Sequence, residues 1–266
     1  MLYIVATPIG NLDDITLRAV RVLSDCDILL AEDTRHTAKL LNHLSIARSR
    51  GSVISVHDHN ETQRSAWVLE KLSEGLNLAL VTDAGTPGIS DPGYRLVRDA
   101  RHAGHEVVPI PGACAAVAAL SASGLPTDRF TFVGFPPKKA AARRRWLDEV
   151  ATAPGTLVLY AAARDVPKIL ADVRETRGDV LVVVAREMTK RYEEWLTGTV
   201  SETLVRWEAS PRKGEVTLII DRPPEQVVDD ASLLAMLRET TVKEVVALTG
   251  ASKRRVYQLS LRLKKD

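Results

Sequence analysis

The residues best suited to chemistry lie in loops that follow short apolar runs. Thr82-Asp83-Ala84-Gly85-Thr86-Pro87-Gly88-Ile89-Ser90-Asp91-Pro92-Gly93 is dense in residue types that fix unusual backbone angles. A strand-to-helix connection usually needs only about two to six residues, so this one is longer and more specified than topology requires. Its glycines let a ligand approach the main chain closely, and the stretch is expected to line a small-molecule pocket. A second loop, Pro109-Ile110-Pro111-Gly112-Ala113-Cys114-Ala115-Ala116, opens a helix with small side chains, which leave room for a ligand or for close helix packing. A third, Ala6-Thr7-Pro8-Ile9-Gly10-Asn11-Leu12, has one glycine and lacks both the G-x-G-x-x-G fingerprint and the lysine of a P-loop. A nucleotide phosphate site is therefore unsupported there.

The elements that must position these loops alternate between β-rich runs and stretches of helical period, the pattern of α/β layering over a largely parallel sheet. Strands are predicted over residues 2–7, 27–31, 53–56, 78–82, 107–110 and 130–135. Helices are predicted over 16–24, 61–73, 94–103 and 113–123, the first begun by a threonine cap. Pro136-Pro137-Lys138-Lys139 is a stiff extended stretch where neither element continues easily, and it divides an N-terminal lobe (1–136) from a C-terminal lobe (137–222). The second lobe is expected to hold a helix over 140–150 and strands over 156–160, 180–185 and 215–220, with helices between. Pro223-Pro224 marks a second linker, and three short helices over 231–238, 242–248 and 252–263 form a tail. Its middle turn, at Gly250, has the look of a helix-turn-helix.

Composition excludes some classes. The chain has 266 residues, 45% of them hydrophobic, and no apolar run long enough to cross a bilayer as a helix. Residues 2–6 enter a strand directly from Met1 without signal-type flanks, so a cytoplasmic protein is expected. Cys26 and Cys114 sit in apolar runs without metal-ligand spacing, so they read as reduced core thiols and no metal is expected. The net charge of +2 is uninformative, but its distribution is uneven. Lys138, Lys139, Arg143, Arg144 and Arg145 cluster mid-chain, and Lys253, Arg254, Arg255, Arg262, Lys264 and Lys265 crowd the C-terminus, a pattern that favours a polyanionic partner.

Residues 81–93 followed by Pro109-Ile110-Pro111-Gly112-Ala113 resemble the cofactor-binding core of the tetrapyrrole-methylase superfamily. Residues 3–16 and Ala31-Glu32-Asp33-Thr34-Arg35 are similar to its ribosomal-RNA branch, which methylates a cytidine ribose. Further matching pieces are His57-Asp58-His59-Asn60-Glu61, Gly134-Phe135-Pro136-Pro137-Lys138, Arg186-Glu187-Met188-Thr189-Lys190 and Arg212-Lys213-Gly214-Glu215. The likeness covers essentially the whole chain, with one departure at Ala113-Cys114-Ala115, where the branch more usually has a serine. It implies a two-lobed tetrapyrrole-methylase-like α/β fold with a helical tail, S-adenosylmethionine as cofactor, and 2′-O-methylation of a cytidine in the decoding region of 16S ribosomal RNA. The small ribosomal subunit is then the partner, and a homodimer is expected.

The resemblance also implies site residues. Cofactor contacts are assigned to Pro8, Asp83, Ala84, Gly85, Ile89, Ser90, Ala113 and Ala116, with Tyr160, Glu215 and Thr217 from the second lobe. The reaction needs a group that accepts the hydroxyl proton, and Glu32, Asp33, His57, Glu187, Lys190, Lys213 and Glu215 are all available on strand ends or adjacent loops. Asp33 and Glu187 are placed nearest the ribose, with Lys213 as a further catalytic candidate. Arg35, Lys138, Lys139, Lys253, Arg254 and Arg255 are placed on the RNA. For Asp33 the competing role is a helix cap, and for Arg35 a surface ion pair. Two other functions compete: a tetrapyrrole methylase of cobalamin or haem biosynthesis, and a metabolite-sensing helix-turn-helix regulator without catalysis.

Overall fold

The computed structural model describes residues 1–49, 51–151, 153, 155–222, 229–249 and 251–263. They form two compact units, Met1–Arg222 and Pro223–Asp266. The first unit opens with β1 (Leu2–Val5), α1 (Leu17–Asp25), β2 (Ile28–Ala31), α2 (Thr34–His43), β3 (Val53–Ser55), α3 (Glu61–Ser73), β4 (Leu78–Val81), α4 (Tyr94–His102) and β5 (Val107–Ile110). The five strands make one wholly parallel sheet in the order β3-β2-β4-β1-β5. Local chemistry sets the boundaries: Thr16 accepts from the Ala19 amide to start α1, and Asp33 accepts from the Arg35 amide to start α2. The strands carry near-continuous apolar runs because both faces are covered, with Leu2, Leu30 and Leu80 packing on one side and Val5, Leu29 and Val81 on the other.

The chain continues through α5 (Ala115–Ala122), β6 (Phe130–Phe132), α6 (Ala140–Ala151), β7 (Thr156–Ala162), α7 (Val166–Arg177), β8 (Leu181–Arg186), β9 (Glu194–Thr199), α8 (Val200–Glu208) and β10 (Glu215–Ile220). A second sheet has the order β6-β7-β10-β8-β9, antiparallel except for β6 beside β7. β6 thus belongs by its hydrogen bonds to the second sheet, although it precedes Pro136 and was expected in the first lobe. β9 is a strand that periodicity did not reveal. Small residues of α5 are used for close packing: Ala116, Ala119 and Leu120 lie against Val158, Val183 and Ile219 of the second sheet.

The mid-chain basic cluster is not one solvated face. Arg143 is buried, and its Nε lies 2.6 Å from Asp172, whose other oxygen takes Arg144 at 3.1 Å. Lys138, Lys139 and Arg145 stay exposed.

In the second unit, α9 (Asp230–Glu239), α10 (Val242–Thr249) and α11 (Lys253–Leu263) pack around Leu233, Val245, Val256 and Leu259. The expected linker at Pro223-Pro224, the turn residue Gly250 and the basic residues Lys264 and Lys265 lie outside the described residues.

Candidate active site

β4, β1 and β5 are neighbours in the first sheet, so the loops leaving their carboxyl ends are brought side by side. Open α/β sheets collect ligands at such a place. The loops are stitched together by their backbones: Thr7 and Gly85 exchange both amide hydrogen bonds, at 2.8 and 3.0 Å, and the Thr86 hydroxyl donates to the Ala113 carbonyl at 3.0 Å. The Gly85 amide and carbonyl are therefore occupied by Thr7. The importance of Gly85 lies in its positive φ of 82°, which turns the chain at the pocket wall, and not in free backbone groups.

Above these loops the second sheet supplies the opposite wall. A cavity of ≈ 230 Å³ lies between them, lined from the first sheet's loops by Ile9, Glu32, Asp83, Ala84, Gly85, Thr86, Ile89, Ser90, Asp91, Cys114 and Ala115. From the second side come Phe135, Tyr160, Ala161, Ala185, Glu187, Met188, Lys190, Glu215, Val216 and Thr217. The Ala116 amide donates to the Tyr160 hydroxyl at 3.0 Å, tying α5 to β7 across the seam.

Of the residues expected at the cofactor, Asp83, Ala84, Gly85, Ile89, Ser90, Tyr160, Glu215 and Thr217 line this cavity. Pro8, Ala113 and Ala116 do not line it, although their chain neighbours Ile9, Cys114 and Ala115 do. Among the expected proton acceptors, Glu32, Glu187, Lys190 and Glu215 line it, whereas Asp33, His57 and Lys213 do not. Asp33 is bound by Arg35 instead, with Arg35 Nη2 at 2.7 Å from its Oδ2, and it caps α2. Lys213 is exposed. Arg35 is also largely exposed, held to Asp33. Sequence reading passed over Thr86, Asp91, Cys114, Phe135 and Met188 as contacts, although the first three stand in loops that composition had singled out and the last two in pieces that matched the family.

The turn after β8 is the most constrained part of the wall. Glu187 and Thr189 both have positive φ, at 48° and 65°, a region that non-glycine residues enter only when surroundings hold them there. Several contacts hold the turn, the Thr189 amide donating to Glu193 Oε2 at 2.7 Å among them. Glu187 Oε1 accepts from the Glu215 amide at 2.9 Å and from Lys190 Nζ at 3.1 Å, and the Asn11 amide donates to the Thr189 hydroxyl at 3.0 Å, reaching across from the first lobe.

Residues 1–204 match the tetrapyrrole (corrin/porphyrin) methylases. The chain belongs to this family. It is 46% identical over 272 residues to ribosomal RNA small subunit methyltransferase I of Escherichia coli O157:H7, covering 98% of this chain and 94% of that protein. The protein of the same name from Haemophilus influenzae is 42% identical over 276 residues (98% and 96% covered), and that from Synechocystis sp. is 44% identical over 279 residues (100% and 99%). Among solved structures, cobalt precorrin-4 methyltransferase shares the fold with a TM-score of 0.59 at 18% identity, over 83% of this chain and 94% of that one. Diphthine synthase does so with a TM-score of 0.62 at 12% identity, over 83% and 89%. The tetrapyrrole-methylase-like fold expected from the motifs is thus the one observed, and the chain is a methyltransferase.

The electrostatics of the cavity suit the methyl donor of this family, S-adenosylmethionine, which carries a sulfonium and an ammonium. Five lining residues are acidic, Glu32, Asp83, Asp91, Glu187 and Glu215, against one ammonium, Lys190. Burial, then the carboxylates of Glu32 and Asp83, pushes Asp91 up to about 7, and burial also raises Glu32. Burial acts the same way on Glu187, but the Glu215 amide and Lys190 outweigh it and leave that carboxyl below its ordinary value. A cluster that resists full ionisation by itself is relieved by a bound cation. Ile9, Ile89, Phe135, Tyr160 and Met188 provide the apolar and aromatic wall that a nucleoside needs. Asp33, His36 and Asp83 also bring ligand atoms within 4.8 Å of one another at the surface, and this candidate cation site is empty.

Proposed function

We propose that this chain transfers the methyl group of S-adenosylmethionine to the ribose 2′-oxygen of a cytidine in the decoding region of small-subunit 16S ribosomal RNA. The observation that carries this reading is that similarity to ribosomal RNA small subunit methyltransferases spans both units, tail included, whereas the macrocycle enzymes share only the fold. In this reading Asp83, Ala84, Gly85, Ile89 and Ser90 hold the donor from the first lobe, and Tyr160, Glu215 and Thr217 hold it from the second. Bound there, the donor supplies an electrophilic methyl group. The residues of the cavity then align the hydroxyl with it and exclude water. Glu187, fixed by Lys190 and the Glu215 amide, orients the wall on the substrate side.

RNA contact falls to Lys138, Lys139, Arg35 and the exposed Lys253 and Arg254 of α11. Arg255 Nη2 lies 2.6 Å from Asp230 within the tail, so its charge is partly spent on holding α11 to α9. A homodimer is part of the proposal, supported by the apolar Val117 that α5 leaves exposed. No helix among the described residues is long and apolar enough to cross a membrane.

The test supplies labelled donor with, separately, unmodified small ribosomal subunits, naked small-subunit RNA, and uroporphyrinogen or a precorrin. Label in the assembled subunit is expected. Label only in a tetrapyrrole overturns the reading.

A further inference from the structure

The reaction assigned above needs a proton acceptor, and the geometry eliminates most of the acidic groups near the cavity. Glu187 already accepts two hydrogen bonds on Oε1, one from an ammonium, and is held as a stable anion. Asp33 is engaged by the Arg35 guanidinium and lies off the cavity wall. Glu215 Oε2 is bound by Lys190 Nζ at 2.8 Å, and Glu32 Oε2 accepts from the Asp83 amide at 3.3 Å. Asp83 accepts the Asp33 amide on Oδ1 and faces His36 with Oδ2.

Asp91 differs from all of these. It lines the cavity, it is half-buried, and its carboxylate has no hydrogen-bond partner among the described residues. Its position is fixed by backbone alone: Ser90 before it has a φ of 63°, the Gly88 amide donates to the Pro92 carbonyl at 3.0 Å, and Gly93 has a φ of 132° with no room for a side chain beside Leu80. A rigid loop thus presents a carboxylate with both oxygens free to the space where donor and acceptor must meet. A carboxylate so placed is available to take a proton from a bound hydroxyl.

We propose that Asp91 is the catalytic base, accepting the proton of the attacking ribose hydroxyl. The inference rests on the methyl-transfer reading of the same site. In the step, the hydroxyl O–H bond breaks and its proton passes to an Asp91 Oδ. The oxygen forms a bond to the methyl carbon while the carbon–sulfur bond breaks, its electron pair staying on sulfur as a neutral thioether. The charged and titratable groups around Asp91 are Glu32 at the end of β2, Asp58 in the loop after β3, Asp83 in its own loop, Tyr160 on β7, Lys190 after β8 and Glu215 at the start of β10. The four carboxylates among them raise its proton affinity, which suits a base that must take a proton during the step.

The test compares wild type and Asp91→Asn on assembled small subunits at saturating donor, with donor affinity measured separately by calorimetry. A base contributes about 10²- to 10⁴-fold, so kcat should fall by that factor, while the donor Kd should rise no further than it does for the wild type at low pH, where Asp91 is protonated. Wild-type kcat should also decline as pH is lowered through one ionisation, and the residual activity of Asp91→Asn should lose that limb. The wild-type profile keeps the test decisive if the variant fails to fold. A flat wild-type profile overturns the proposal, as does an unchanged kcat in the variant. A raised Kd with normal kcat also overturns it, leaving Asp91 as a counter-charge to the donor. Failure of the wild type to methylate small subunits would instead sink the reading on which the proposal rests.

Discussion

Gly214 is the residue through which the second lobe holds the Glu187 turn, and Gly214→Ala should release it. Its φ is 101°, and an added Cβ would meet the Glu187 carboxylate. The left-handed conformation costs an L-residue about 1–2 kcal/mol. Displacing the carboxylate also removes its bonds from the Glu215 amide and Lys190, which together contribute about 1–3 kcal/mol. The sum is about 2–5 kcal/mol, and for a unit of this size each kcal/mol lowers the thermal midpoint by about 2–4 °C, giving a drop of about 4–20 °C. Gly178→Ala is the control, because Gly178 has a similar φ of 82° with nothing within 4 Å of the added Cβ. Thermal unfolding should show the larger drop for Gly214→Ala, and calorimetry should show weakened donor binding for that variant alone. Equal drops, with donor affinity intact in both, would refute the reasoning that Glu187 is wedged in place for the cavity.

Three other outcomes are expected. Arg143→Met leaves the buried Asp172 with only the exposed Arg144, and denaturant titration should register a loss toward the lower end of about 3–5 kcal/mol, whereas less than about 1 kcal/mol would contradict a structural role. With Asp91 pushed up to about 7 in the free protein, a bound cation favours its ionised form, so donor binding at pH 7 should release protons and donor affinity should weaken as pH falls below about 7. Calorimetry in two buffers of different ionisation enthalpy reads the release, and identical heats would count against it. Charge reversal at Lys253 and Arg254 should weaken methylation of small subunits more at low salt than at high salt, flattening the salt dependence, while sparing donor binding. Reversal at Arg255 should in addition lower the stability of the tail through Asp230; unchanged salt dependence in the first pair would remove α11 from the RNA surface.

Much of the fold was legible because local signals agreed with burial. The Thr16 cap, the 61–73 helix and the strand over 107–110 all fall where pattern put them, since capping chemistry and apolar runs are local properties. The cavity loops could be found because their glycines and prolines exceed what a connection needs. β9 escaped because Glu-Trp-Leu-Thr-Gly-Thr buries one residue fully and depends on pairing with β8, a long-range term that a window of sequence does not contain. Arg143 escaped for a related reason: a basic run looks the same whether its charges face water or a buried aspartate. At Asp33 two readings fitted one residue, and the structure shows the cap and the Arg35 pair. Asp91 sat in plain view within the most conspicuous loop, but its lack of a partner is a fact of three dimensions.

The most direct test of the central claim is the position of the transferred methyl group. After reaction of wild-type protein with unmodified small subunits and labelled S-adenosylmethionine, the RNA is digested to nucleosides and separated. The label should appear in 2′-O-methylcytidine. Label on a base, or on the ribose of another nucleoside, would contradict the assigned reaction while leaving the fold and the donor cavity as described.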